Sequence, residues 1–466
     1  MDYFDEFKPI RNKIRRLHLN TTLERIRLLK GRGEVLPEIA EFLFVNVLLY
    51  SEASNIPKQQ DLIFNDVLRR CNELSGKVYS KKIDSMIWRW LHALALTQLK
   101  SHYNGYINAT YRYFLIFSDP QLKLHIEQCI GISYVDYLRC ALWLHAVFSR
   151  ELKVPKSYFL GKKNDRTVFS EANMSKALSL LSLPLKEIKE GLRSSLTYDD
   201  DMFIFHGKPH LEYPIIDDNE YLYCMFPEHL HAQLLSGIYY IAKIYDPKNN
   251  LSNPFGKSFE NYVGTILNKT NESNKLDVLE EIKFNYKGNQ LKTSDWIVSS
   301  DKEIVFIECK TKRLRMPSKT LEAYSDTLDE DIDFIAKALI QLYKIVHHYK
   351  SGNIPKLLFD PNKEISVLVV TLEEWFIGGP DIKEKLDLAV RSKLQQEQIG
   401  LEVLELCPYQ CYSIDNFEID NQIMFNLGFA EFFRKQKKGE IDETFRKSFP
   451  FMDYHETEFK ETFLRL

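Results

Sequence analysis

The sequence predicts an α + α/β chain: an all-helical half of about 200 residues, a connecting hairpin and helix, then an α/β half. Three observations carry this reading. Long segments of helix formers, EIAEFLFVNVLLYSEA (38–53), KIDSMIWRWLHALALTQL (82–99) and YVDYLRCALWLHAVFSREL (134–152), follow one another with no strand pattern between them. Their apolar stripes are wide, which suits helices packed on several sides. The piece DPKNNLSNPFG (246–256) is dense in Asn, Pro, Gly and Ser and reads as a loop or domain boundary. Beyond it, strand and helix signals alternate.

The elements follow in order. SEANMSKALSLLSL and PLKEIKEGL (170–192) read as two short helices with a turn before Pro184, and MFIF, HLEYPII and EYLYCMF as strand-like pieces. A winged helix-turn-helix has that order, and so does a helical edge followed by a connecting hairpin. The turn lacks glycine and the second helix is not basic, which favours the hairpin reading. Residues 227–247 read as one amphipathic helix. After the boundary come a helix, KSFENYVGTILNKT, strands at EEIKFNY, SDWIVS and EIVFIECKTK, a helix, DIDFIAKALIQLYKIVHHY (331–349), and the strands EISVLVVTL (364–372) and YQCYSID. A helical tail, NQIMFNLGFAEFFRKQ, closes the pattern. The expected division is a helical recognition or regulatory domain at 1–200, the connecting hairpin and helix at 201–247, the α/β domain at 248–420 and the tail at 421–466. No repeat at a fixed period supports a solenoid.

Composition narrows the function classes. The 466 residues suggest two large domains or about three smaller ones. Hydrophobic residues make up 44% and charged residues 27%, an ordinary globular balance. The formal net charge of −3 excludes a global polycation, so contact with nucleic acid would come from local basic patches. Seven cysteines, sparse and odd in number, fit a reducing cytoplasm rather than a disulfide framework. The charged N-terminus, MDYFDEFKPIRNKIRRLHLN, has no apolar signal core, and no run of about eighteen apolar residues predicts a membrane span. A soluble, cytoplasmic chain without a membrane partner is expected.

The chemistry concentrates in SDWIVSSDKEIVFIECKTK (294–312). Side chains alternate across a strand, so Val305, Ile307 and Cys309 share one face and Phe306, Glu308 and Lys310 the other. The first face is expected to meet the core. A two-residue turn at Asp301-Lys302 sets Ser300 opposite Glu303 and, counting outward, Asp295 opposite Glu308. Directly opposed residues have Cβ atoms roughly 4.5–5.5 Å apart. Two bare carboxylates that close repel, and a divalent cation such as Mg²⁺ or Mn²⁺ removes the conflict. Held by Asp295 and Glu308, with the Cys309 backbone carbonyl as a further ligand, such an ion can activate a water. Lys310 can position that water or stabilise developing charge, while the Cys309 thiol points away as inert core. Glu260 in FENYVGTIL lies at the edge of a helical apolar face, and Lys337 and Gln341 share one face of the later helix. Each of these residues also has a routine structural reading, because acids and lysines are common at strand ends and helix surfaces.

Taken together, a helix with Glu260, a strand, Asp295, Glu308-Cys309-Lys310 and a helix with Gln341 resemble the PD-(D/E)XK nuclease superfamily over residues 250–420. Many restriction endonucleases and DNA-repair nucleases belong to it. The resemblance implies a restriction-endonuclease-like core with a mixed central sheet flanked by helices. It implies Asp295 and Glu308 as metal ligands, Lys310 as the catalytic lysine, Glu260 as an accessory acid at the metal, and Gln341 as a supporting group. The residue before Asp295 is Ser294, where the family often has proline.

The expected function is therefore a Mg²⁺- or Mn²⁺-dependent nuclease, DNA favoured over RNA and endonuclease favoured over exonuclease. The family's frequent role in prokaryotic defence against foreign DNA makes antiviral defence the expected setting. The helical half would recognise a protein partner, a second copy of the chain or a nucleic-acid feature. The alternative is a catalytically silent nuclease-fold scaffold or nucleic-acid-binding subunit. The basic run KTKRLRMPSK (310–319) offers Lys312, Arg313, Arg315 and Lys319 either as phosphate contacts or as a solvated loop. FGKSF (255–259) lacks the earlier glycine of a P-loop, because Leu251 stands there. Cys407 and Cys411 have no second pair at zinc spacing.

Overall fold

The computed structural model describes residues 3–80, 106–161, 170–196, 212–271, 276–315, 318, 326–375, 380–447, 455, 458 and 461. The predicted helix at 82–99, the strand-like MFIF (202–205) and Lys319 lie outside the described residues. Within them the architecture is mixed: a largely helical first half and a second half built on a mixed five-stranded sheet.

Helices α1 (Phe4–Ile14), α2 (Leu19–Gly31), α3 (Pro37–Tyr50) and α4 (Gln60–Ser80) open the chain. Pro37 sits in the first turn of α3, where its missing N–H has no partner to lose. Every side chain of α3 from Glu38 to Leu49 is buried, so this helix is the axis of a first hydrophobic cluster. Next come α5 (Tyr106–Phe117), α6 (Pro120–Ile130) and α7 (Tyr134–Phe148). Asp119 caps α6 by accepting the N–H groups of Gln121 and Leu122, and Gly131 stops it at φ 70°. A small sheet follows, with order β1-β4-β3-β2. It comprises β1 (Lys153–Pro155), β2 (Ser182–Pro184), β3 (Ile215–Asp218) and β4 (Tyr221–Tyr223), with α8 (Lys156–Leu160), α9 (Glu171–Leu181) and α10 (Leu185–Ser195) between them. The two helices expected at 170–192 form, but β2 separates them and pairs in parallel with β3.

The single helix expected at 227–247 is broken. α11 (Pro227–Ala232) and α12 (Ile238–Ile244) flank a wide turn at Gln233–Gly237, in which Leu235 leaves the helical region at φ −85°, ψ −118°. Groups from outside hold this turn: Tyr137 Oη donates to the Gln233 carbonyl, and Ser236 Oγ donates to Glu373.

The second half starts with α13 (Ser252–Asn271) and continues through β5 (Asp277–Glu280), β6 (Lys283–Tyr286), β7 (Asn289–Lys292), β8 (Trp296–Ser299) and β9 (Glu303–Lys310). Then come α14 (Thr327–Lys350), β10 (Glu364–Thr371), α15 (Pro380–Gln396), α16 (Val403–Leu406), β11 (Tyr409–Ser413), α17 (Ile414–Leu427), α18 (Phe429–Lys437) and α19 (Glu443–Lys447). The main sheet runs β11-β10-β9-β8-β5. β9, β10 and β11 are parallel, while β8 is antiparallel to both β9 and β5. Valine and isoleucine fill both faces of β9 and β10, the composition of strands covered on both sides. One face packs under α13, α17 and α18, the other under α14 and α15. The Val305–Cys309 face meets the core as expected, and Ile304 and Phe306, on the other face, are equally buried.

The packing also crosses the boundary expected near residue 248. Asp246 accepts the Leu251 N–H at 2.8 Å and closes the connecting turn. Phe255 stacks on Tyr239 at 4.0 Å and on Phe117 at 5.8 Å. One hydrophobic cluster runs from Tyr113 in α5 through Phe259 in α13 and Val305 in β9 to Phe433 in α18. Helices α17 and α18 thus supply one layer over the sheet. Arg112 in α5 ties the same elements electrostatically. Its guanidinium donates to Glu418 at 2.8 and 3.0 Å and to Asp415 at 2.6 Å, and Tyr262 of α13 donates to Glu418 at 2.5 Å.

Candidate metal and phosphodiester site

The turn at Ser300–Glu303 fixes the register of the site. Ser300 N–H donates to the Glu303 carbonyl at 2.9 Å, and Trp296 pairs with Ile307, so one further step outward sets Asp295 against Glu308. Asp295 stands at the bend just before β8, Glu308 lies on the Phe306 face of β9, and α13 contacts β9. Asp295 Oδ2 accepts the Cys309 N–H at 2.8 Å, just beyond the last β8–β9 pair. A strand residue points its N–H and C=O the same way, so the Cys309 carbonyl also lies on the Asp295 side. The Cys309 thiol faces the α13 cluster, and burial pushes its pKa up.

Glu308 is 3% exposed. Its Oε1 accepts from Lys310 Nζ at 2.6 Å, while its Oε2 has no hydrogen-bond partner. Leaving a buried carboxylate oxygen unmatched is unfavourable. Burial raises the Glu308 pKa against the opposing pull of Lys310. Burial, then the charges of Glu308 and Glu260, push Asp295 up to about 7. The pair is short of positive charge, and burial shifts both carboxyls toward their protonated forms.

Glu260 reaches the pair electrostatically from α13, and its placement depends on two residues that sequence reasoning passed over. Trp296 Nε1 donates to the Glu260 main-chain carbonyl at 2.8 Å. The indole packs against Gly264, where a Cβ would stand 1.9 Å from Trp296 Cζ2. A tryptophan next to Asp295 and a glycine four residues after Glu260 were the available signals. Gly264→Ala is therefore expected to lower the thermal midpoint, with an overpacking cost of about 1–3 kcal/mol. Trp296→Phe in the same chain should recover part of the loss in a melting experiment; no recovery would place the strain elsewhere.

The remaining predicted residues are placed less centrally. Gln341 is half-buried on α14, and among the described residues no hydrogen bond or ion pair joins it to Asp295, Glu308 or Lys310. Lys337 pairs with Asp333 at 2.9 Å. The basic run is engaged within the chain. Lys312 and Arg315 both bind Asp331, at 3.0 and 2.9 Å, and Asp331 is fully buried at the start of α14. Arg313 pairs with Glu373 at 3.3 Å and lies 3.2 Å over the Tyr240 ring. These cations hold the loop after β9 to α14 and to α12. Two lysines not singled out from sequence pair with Glu260 and with an acid of the β5–β6 turn. Lys257 pairs with Glu260 at 2.8 Å, and Lys292 pairs with Glu281 at 2.7 Å.

Among the described residues, no three His, Cys, Asp or Glu side chains are spaced to enclose a metal by themselves. A two-carboxylate edge with an unmatched oxygen suits an ion that keeps waters and takes substrate oxygens, as Mg²⁺ does, rather than a closed structural site. All seven cysteines are free thiols, and among the described residues no helix is long and apolar enough to cross a membrane. No protein family matches the chain, and no curated protein or solved structure matches it.

Proposed function

We propose that this chain is a metal-dependent nuclease of the PD-(D/E)XK type, an endonuclease acting on DNA in preference to RNA. The observation that carries the reading is the Asp295–Glu308 pair: two buried acids at one sheet end, one oxygen without a partner, and Lys310 bonded beside them. Asp295 and Glu308, with the Cys309 carbonyl and Glu260 as further oxygen donors, fit Mg²⁺ or Mn²⁺. Bound there, such an ion supplies Lewis acidity and a more acidic water. The chain's own residues do the rest. Glu308 orients the Lys310 ammonium through the 2.6 Å contact, which keeps a donor where phosphorane charge develops. Trp296 and Gly264 fix α13 so that Glu260 stays at the rim. The helical half sets target choice, activation or assembly with a partner or a second copy, and defence against foreign DNA in a reducing cytoplasm is the fitting setting.

The test is cleavage of circular DNA, linear DNA and RNA by the full chain with Mg²⁺ or Mn²⁺, alongside Glu308→Ala and Lys310→Ala. Each substitution should lower the cleavage rate by roughly 10²-fold or more, the scale of a missing charge-stabilising group. Variants that cut like the wild type would show the site is elsewhere. A wild type that neither cuts nor binds Mn²⁺ would leave the scaffold reading.

A further inference from the structure

We infer that the outward face of α1, with Lys8, Arg15 and Arg16, docks the sugar-phosphate backbone of a nucleic acid. The inference stands on the geometry and charge of this face and is independent of the Asp295–Glu308 site. Positive charge is gathered at one end of the chain. The first 32 residues hold nine Lys or Arg and four Asp or Glu, a net +5, so the remaining 434 residues carry −8 to give the chain's −3. Helix geometry sorts the two faces of α1. Tyr3, Phe7, Ile10 and Ile14 recur at steps of three and four and are buried in the first hydrophobic cluster. Lys8, Asn12, Arg15 and Arg16 follow the same steps on the opposite face and are exposed. The helical path continues past Ile14, because the Arg15 N–H donates to the Arg11 carbonyl at 3.1 Å and the Arg16 N–H to the Lys13 carbonyl at 3.0 Å. At a rise of about 1.5 Å per residue, Lys8 and Arg15 stand roughly 10 Å apart along one row.

The charge of this row is not used inside the fold. Among the described residues, neither Lys8 nor Arg16 forms an ion pair. Arg15 meets Glu52 at 3.3 Å with side chains 47% and 64% exposed, a surface contact weak enough to exchange for a phosphate. Lys8 stands before the last turn, beyond the reach of the helix dipole that Arg11 and Lys13 serve. The flank toward α4 adds to the surplus, because Lys13, Arg69 and Arg70 share the one carboxylate of Asp66 at 2.6, 2.7 and 3.0 Å. The basic run after β9, by contrast, is spent on Asp331 and Glu373. A row of exposed cations suits a partner whose negative charge repeats along a line, as backbone phosphates do. A lipid surface fits less well: a helix lying on a bilayer inserts its apolar face, and the apolar face of α1 is already buried in the fold.

The experiment is fluorescence anisotropy of a labelled DNA duplex, a labelled DNA strand and a labelled RNA strand with the full chain, in EDTA over a salt series. The chains compared are wild type, a triple variant with Lys8→Gln, Arg15→Gln and Arg16→Gln, and a charge-keeping variant with Lys8→Arg, Arg15→Lys and Arg16→Lys. A control removes as much charge at the end of α18, with Arg434→Gln, Lys437→Gln and Lys438→Gln. The triple glutamine variant should bind at least about 10-fold more weakly. Its slope of log affinity against log salt should flatten by about 2 to 3, since each phosphate no longer neutralised removes about 0.9 on a duplex and about 0.7 on a single strand. Lys8→Gln alone should remove about one such step, and it decides the matter if circular dichroism shows that the triple variant does not fold. The charge-keeping variant and the α18 control should stay close to wild type. A triple glutamine variant, or a lone Lys8→Gln, with wild-type affinity and slope overturns the inference. So does an α18 control that loses as much, a wild type with no salt-dependent binding to any of the three, or one that binds phosphatidylserine vesicles and no nucleic acid. Binding through α1 by a chain that cuts nothing in Mg²⁺ or Mn²⁺ would remove the nuclease reading and leave this surface standing.

Discussion

Arg112→Ala is expected to destabilise the protein by roughly 3–5 kcal/mol, the scale seen when one partner of a buried ion pair is removed. The side chain is 3% exposed and makes two bonds to Glu418 and one to Asp415. Alanine leaves Glu418, itself 7% exposed, with Tyr262 as its remaining donor in this network. Burial already raises the Glu418 pKa, so the unpaired acid would take up a proton or unfold its surroundings. The network joins α5, α13 and α17, so the loss should be global. A denaturation curve should show a lower midpoint, and Arg112→Met with Glu418→Gln should recover part of it because no uncompensated charge is buried. Lysine cannot replace the two-pronged contact and should behave nearer to alanine. A midpoint unchanged by Arg112→Ala would show that the network does not hold the two halves together.

Asp295→Asn should do the reverse to the metal-free protein, raising its stability at pH 8 while abolishing cation binding. The sign follows from linkage. The unfolded Asp295 loses its proton near 3.8 and the folded one near 7. Across that window the folded state holds more protons than the unfolded, so stability falls as pH rises from about 4 to about 7 and stays low above it. The group's share is on the order of 2–4 kcal/mol at pH 8. Asparagine keeps an acceptor for the Cys309 N–H and removes a negative charge beside Glu308. Thermal melts should therefore put the variant several degrees above wild type at pH 8 and close to it at pH 4. Saturating Mn²⁺ should raise the wild-type midpoint, by about 2.7 kcal/mol at a hundred times its Kd, and leave the variant where it was. A variant less stable than wild type at pH 8, or one still stabilised by Mn²⁺, contradicts the charge deficit at this site. A site that is stabler when disabled is the pattern of a group kept for function.

Much of this was readable from local sequence, for definite reasons. The Ser300–Glu303 turn and the period-2 alternation of β8 and β9 were enough to set the register of the two strands as far as Trp296 against Ile307, because register follows from turn length and face. Helix periodicity placed α3, α7, α13 and α14. It also announces α15 through Ile382, Leu386, Val390 and Leu394 at steps of four, a narrow stripe in a polar segment that is easy to pass over. The break at Leu235 had no such signal, since the groups that hold the turn, Tyr137 and Glu373, lie far away in sequence.

By itself, then, the sequence determined which residues alternate, which face a strand offers, and that two acids and a lysine meet at one strand end. Those properties depend on neighbours a few residues apart. Only the tertiary structure decided that both faces of β9 are buried, that one core spans both sides of the boundary expected near residue 248, and that Lys312, Arg313 and Arg315 serve the fold while Lys257 and Lys292 pair with Glu260 and Glu281. A cation's partner is set by which acid packing brings within about 4 Å, and that choice depends on chain segments far apart in sequence.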